Sequence, residues 1–162
     1  MKKLAFVSAL IAALFMAGCS SKSPSTSTTN TDDNSNIESI DVASILSGIQ
    51  NQLQNVYFDF DKFSIRADQQ NAITTNAALF NQNNASAFTI LIEGNCDEWG
   101  SDEYNYALGV KRAKAAKEAL VAQGVNESRI SIASNGESKP VCTERSKSCD
   151  AQNRRDEFKV MQ

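Results

Sequence analysis

The feature that most limits this chain is an apolar run near its start that is too short to cross a membrane. Leu4 to Ala17 is apolar except for Ser8, follows Met1-Lys2-Lys3, and stops at Gly18-Cys19. A spanning helix needs about 20 apolar residues, and this run has 14. A basic start, a short apolar stretch and small residues at its end predict an export signal over residues 1–18. Ser20 to Asn36 is then almost entirely Ser, Thr, Asn and Asp, with no large apolar side chain. Such a segment cannot bury enough surface to offset its chain entropy, so residues 19–36 are expected to be a disordered linker. Whatever folds must come from residue 37 onward.

That remainder suits one domain. Residues 55–162 carry 13 basic and 15 acidic side chains, which leaves them nearly neutral. Nucleic acid is not an expected partner, because its binding wants a basic face. The 162-residue chain has no histidine, the commonest general base near neutral pH and the commonest metal ligand. No catalytic residue, metal site or cofactor is assigned.

The periodicity predicts an α+β fold. Ile37, Ile40, Ile45, Leu46, Ile49 and Leu53 recur at helical spacing over 37–54, with Glu38 and Asp41 where a helix dipole favours acids. This short amphipathic helix either rests on the domain or docks to a partner. From residue 55 the order reads strand (56–60), helix (67–82), strand (88–92), helix (102–123), strand (130–133), then a loop and a last strand (157–161). Gly124 is the expected stop after the long helix. Strands alternating with helices imply a helix layer on one face of a mixed sheet, here of four strands.

Two resemblances sharpen this. Met16-Ala17-Gly18-Cys19 resembles the bacterial lipoprotein cleavage box, with Met16 where Leu is usual. That implies cleavage before Cys19 and acylation of its thiol, two or more chains giving stable attachment. Ser20, in place of Asp, implies the outer membrane with the domain facing the periplasm. Within 55–162, four motifs occur in order: Phe58-Asp59-Phe60-Asp61-Lys62, Glu93-Gly94-Asn95-Cys96-Asp97-Glu98-Trp99-Gly100, Asn105 to Ala113, and Asn153-Arg154-Arg155. Together they resemble the OmpA-like peptidoglycan-binding domain, and the cleavage box narrows the likeness to its lipid-anchored members, the peptidoglycan-associated lipoproteins (Pal). Asn95 stands where the family often has His, Cys96 where it often has Thr or Ala, and Trp99 where many members have Arg.

The resemblance implies a ligand, the diaminopimelate of a peptidoglycan stem peptide, and a site. Its zwitterionic end needs an anion for the ammonium and a cation for the carboxylate, and Arg suits the latter because its planar fork donates two parallel bonds. Asp97 and Arg112 match the family pair that grips diaminopimelate, although they could equally bridge each other. Asn105, Leu108 and Arg112 fall on one helix face. Asn105 would bond the peptide or hold the loop, and Leu108 would supply an apolar wall or core. Phe60 and Asp61 resemble residues bordering the same groove. Arg154 and Arg155 resemble a structural pair that holds carboxylates.

Three cysteines remain after Cys19. Cys142 and Cys149 flank a polar six-residue span, and export permits a disulfide that would staple this loop. A metal clip is the alternative, but it would need two further ligands. Cys96 would then be the odd thiol, expected to be buried and inert. The expectation is therefore a non-enzymatic tether between outer membrane and peptidoglycan. The resemblance adds the Tol system, with TolB as partner, in envelope integrity and cell division. The competing readings are a wall-binding lipoprotein independent of Tol, and a wall hydrolase using Cys96.

Overall fold

The computed structural model describes residues 41–162. The expected signal, Cys19, the linker and the first residues of the amphipathic segment lie outside them. The elements are α1 (Val42–Gln50), β1 (Val56–Tyr57), α2 (Gln70–Phe80), β2 (Thr89–Asn95), α3 (Asp102–Ala122), β3 (Ile130–Gly136), α4 (Lys147–Asn153) and β4 (Arg155–Met161), with short 3-10 turns before α2, β2 and β3. The sheet order is β1-β4-β2-β3. β2 and β3 run parallel, while β4 lies antiparallel to both β1 and β2.

Register explains why helices cover one face. Ile90 pairs with Val160 and Ile92 with Phe158, so these four project together. They meet Ile73, Ala77 and Phe80 of α2 and Ala113, Ala116 and Leu120 of α3 in one buried cluster, with Val160 at its edge. Ile49 of α1 joins a smaller cluster with Leu79, Ala85 and Phe88. Asp41 caps α1 by accepting from the Ala43 amide at 3.1 Å. The Gln50 amide then bonds Phe158 O at 2.9 Å and the Val160 amide at 3.1 Å. These two bonds stand in for a strand along a stretch of β4 that β1 is too short to cover.

α3 places the site. Ser101 caps it through the Tyr104 amide, and Asp102 and Glu103 complement the dipole in its first turn. It ends in a Schellman motif: the Val125 amide returns to Leu120 O and the Gly124 amide to Val121 O. Gly124 has φ +88°, and Val125 packs into the core beside Leu120. Where α3 crosses β2, Gly109 lies against Gly94 so closely that a Cβ on Gly94 would overlap the Gly109 carbonyl.

Two local expectations shift. The first strand is expected over 56–60, yet β1 stops at Tyr57, because Asp61 turns back with φ +56° and Arg154 bonds Phe58 O. The loop before β4 contains α4, capped by Ser146.

Candidate functional site

The β1–α2 loop, the β2–α3 loop and the start of α3 meet at one end of the sheet. They enclose a recess of about 250 Å³ lined by Phe60, Asp61, Asp97, Trp99, Gly100, Tyr104 and Leu108. Phe60 is 59% exposed and forms rim rather than core, whereas Leu108 is 7% exposed and forms a wall. Asp61 accepts from the Tyr104 hydroxyl. Asp97 is buried, and its carboxylate takes Arg154 Nη1 at 2.8 Å. Arg154 also donates to Phe58 O at 3.0 Å, so it ties the first loop to the second.

Arg112 is fully buried behind this recess and does not line it. Its Nε donates to Lys62 O at 2.8 Å, Nη1 to Asn95 O at 2.9 Å, and Nη2 to Asp59 O at 3.3 Å. It also lies 5.1 Å from the centre of the Phe58 ring. Burial lowers its pKa, but a guanidinium stays charged in a protein. Among the described residues no carboxylate is within ion-pair distance of it. Asp97 and Arg112, expected together, are thus not bonded to each other, and Asp97 is held by Arg154.

Asn105 is buried beneath the second loop. Its amide donates to Asp97 O at 3.3 Å and to the Glu137 carboxylate, while its Oδ1 has no partner among the described residues. Cys96 is buried too, donating to Asn105 O at 3.2 Å and receiving Arg112 Nη1 at 3.4 Å. Burial pushes its pKa up to about 11, so it is a protonated thiol and not a thiolate nucleophile. Cys142 and Cys149 are disulfide-bonded, their Cα atoms 5.3 Å apart. Asn153 clamps the same loop through Val141 N, Cys142 N and Cys142 O. Behind the site Asp156 is fully buried with neither oxygen hydrogen-bonded among the described residues, and burial raises its pKa well above the ordinary carboxylate value. A larger, shallower depression of about 700 Å³ beside Tyr106 and Asn135 has acidic side chains and no cation in its lining, so it lacks half of what a zwitterion needs.

Residues 57–154 match the model of the OmpA family. The peptidoglycan-associated lipoprotein of Mesorhizobium japonicum is 39% identical over 150 residues, covering 91% of this chain and 86% of the relative. The chain belongs to the OmpA family, among the peptidoglycan-associated lipoproteins. The Pasteurella multocida member is 38% identical over 107 residues, covering 66% of this chain and 70% of its own. The crystal structure of the Burkholderia pseudomallei member has 38% identity and a TM-score of 0.62, covering 67% of this chain and 90% of that one. The α+β architecture, with helices on one face of a mixed four-stranded sheet, is that of the family.

For this family member, reading the sequence missed Tyr104 and Gly100 as recess residues and Arg154 as the partner of Asp97. Tyr104 had a signal, since it precedes Leu108 by four and Arg112 by eight on one helix face. The family resemblance marked Arg154 and Arg155 as a pair that holds carboxylates, but not that Arg154 takes Asp97, because 57 residues separate the partners.

Proposed function

We propose that this protein tethers the outer membrane to peptidoglycan by non-covalent binding of the diaminopimelate stem peptide. Acyl chains on Cys19 hold the membrane end. Residues 20–36 give a reach of roughly 20–25 Å for a flexible chain of that length. The domain holds the wall, and the two attachments act together. One observation carries the reading. Among the described residues Arg112 is a buried cation with no carboxylate within ion-pair distance, set behind an apolar-walled recess whose lining includes the carboxylates of Asp61 and Asp97. Three backbone carbonyls answer its donors but do not neutralise its charge, so its field behind the recess favours a ligand carboxylate there while the ammonium meets the acids. Asn105 positions the Asp97 loop, Leu108 is the apolar wall, and Phe60 closes the rim. The protein works without catalysis, within the Tol system and with TolB, in envelope integrity and division. Capture of TolB by the full chain tests that partner.

The site is tested by calorimetric titration of the full chain with an Ala–Glu–diaminopimelate tripeptide and with its lysine counterpart, which lacks the second carboxylate. The diaminopimelate peptide should bind saturably, and Asp97→Asn should weaken it by about 1–3 kcal/mol, the cost of losing one charged partner. Equal affinity for the two peptides would discard the assigned site.

A further inference from the structure

Trp99 is the sole tryptophan of the chain and is 57% exposed. A large aromatic ring left in water forgoes the burial that such residues usually contribute. The indole is nevertheless held in place, because its Nε1 donates to Asp150 Oδ2 at 3.0 Å. Held so, it is a wall common to two recesses. One is the recess of Asp61 and Asp97. The other, of about 400 Å³, is completed by Glu98, Arg145, Ser146, Lys147 and Asp150.

The second recess has a distinct chemistry. Arg145 and Lys147 lie within the loop closed by the Cys142–Cys149 disulfide, so their backbone is restrained. Among the described residues neither forms an ion pair. Two cations face two carboxylates and one hydroxyl around a flat apolar ring. That balance attracts no net ion. It offers closely spaced donors and acceptors beside an aromatic face, which suits a ring bearing hydroxyl and amide groups.

We infer that this second recess is a saccharide subsite, taking an N-acetylated sugar of the glycan strand from which the stem peptide branches. The inference rests on the stem-peptide reading of the first recess. Sugar and peptide are covalently joined, so a peptide bound on one side of Trp99 holds its sugar at high effective concentration near the other.

The test uses the detergent-purified full chain and two probes: the diaminopimelate tripeptide, and the same tripeptide carrying the N-acetylglucosaminyl–N-acetylmuramic acid disaccharide. The disaccharide form should bind about tenfold tighter, the increment of one or two good hydrogen bonds. It should also shield Trp99 fluorescence from acrylamide more than the tripeptide does. Combined Arg145→Ala and Lys147→Ala should remove that increment and keep tripeptide affinity within about twofold, since neither side chain lines the first recess. Trp99→Ala should bring the ratio of the two affinities close to one. Equal affinity of the wild-type chain for both probes overturns the subsite and leaves the peptide reading standing. A preference that survives both variants also overturns it. Failure of both probes to bind overturns the two readings together.

Discussion

Strand β2 is buried along most of its length, but its two halves are held by different physics. Toward Thr89 the buried side chains are Ile90 and Ile92, packed on Phe158 and the helices. Past Gly94 they are Asn95, Cys96 and Asp97, with Arg112 and Asp156 beside them. Aliphatic groups gain from leaving water in any orientation. Polar groups lose unless each donor and acceptor is answered. Most are: Asn95 bonds Glu93 O, Arg155 O and Asn135, and Arg112 bonds three backbone carbonyls. Asp156 and the Asn105 oxygen are not. The apolar end therefore sets where the strand lies. The polar end gives up stability to hold two loops and the start of α3 in fixed positions around a recess.

The comparison can be broken most severely at its boundary. Gly94→Ala would force a methyl group into the Gly109 carbonyl, backbone against backbone, where nothing flexible can yield. A loss above about 4 kcal/mol, or no folded protein, is expected in chemical denaturation, since such overpacking belongs with the largest single-residue effects. Next comes the apolar end: Ile92→Ala should cost about 2–5 kcal/mol by the same measurement and leave stem-peptide affinity unchanged.

The polar end should respond with the opposite sign. Asp156→Val replaces an unpartnered buried carboxyl with a side chain of similar size and should stabilise the domain by about 1–3 kcal/mol at neutral pH. Because burial raises the folded pKa of Asp156, the native state binds its proton more tightly than the unfolded chain does. The wild-type penalty therefore grows as pH rises above the unfolded value of about 4. The gain in Asp156→Val should shrink toward that pH, and a pH-independent gain would contradict the assignment.

The smallest effect belongs to the uncovered face of the sheet. There burial pushes the Glu93 pKa up, but the ammonium groups of Lys159 and Lys139 outweigh it and hold the pKa below its usual value. Both lysines are about half exposed, so Lys159→Ala should cost no more than about 1 kcal/mol. With a lowered folded pKa, this contribution is present above the unfolded Glu value and is lost as pH falls through the folded one. Thermal midpoints of wild type and variant should converge in acid.

The elements most legible in the sequence were those whose side chains repeat with a period. α3 was expected over 102–123 and runs Asp102–Ala122, ending at Gly124 as its left-handed conformation requires. β2 and β4 were found, though each is longer than its apolar core suggested, because their ends bury polar residues that break the pattern. α4 was missed because its seven residues carry almost no apolar periodicity and it is held by a cap and a disulfide.

The site divides in the same way. Local spacing put Asn105, Leu108 and Arg112 on one buried face of α3, and motif order singled out Asp97 and Phe60. What holds each charge came from residues far away in the chain: Arg154 for Asp97, and the carbonyls of Asp59, Lys62 and Asn95 for Arg112. The sequence alone determined the helix faces, the stop at Gly124 and the family, because periodicity, glycine conformation and motif order are local properties. Only the tertiary structure decided that Arg112 lies behind the recess and Trp99 stands between two of them. Burial and ion pairing depend on which distant segments the sheet brings together.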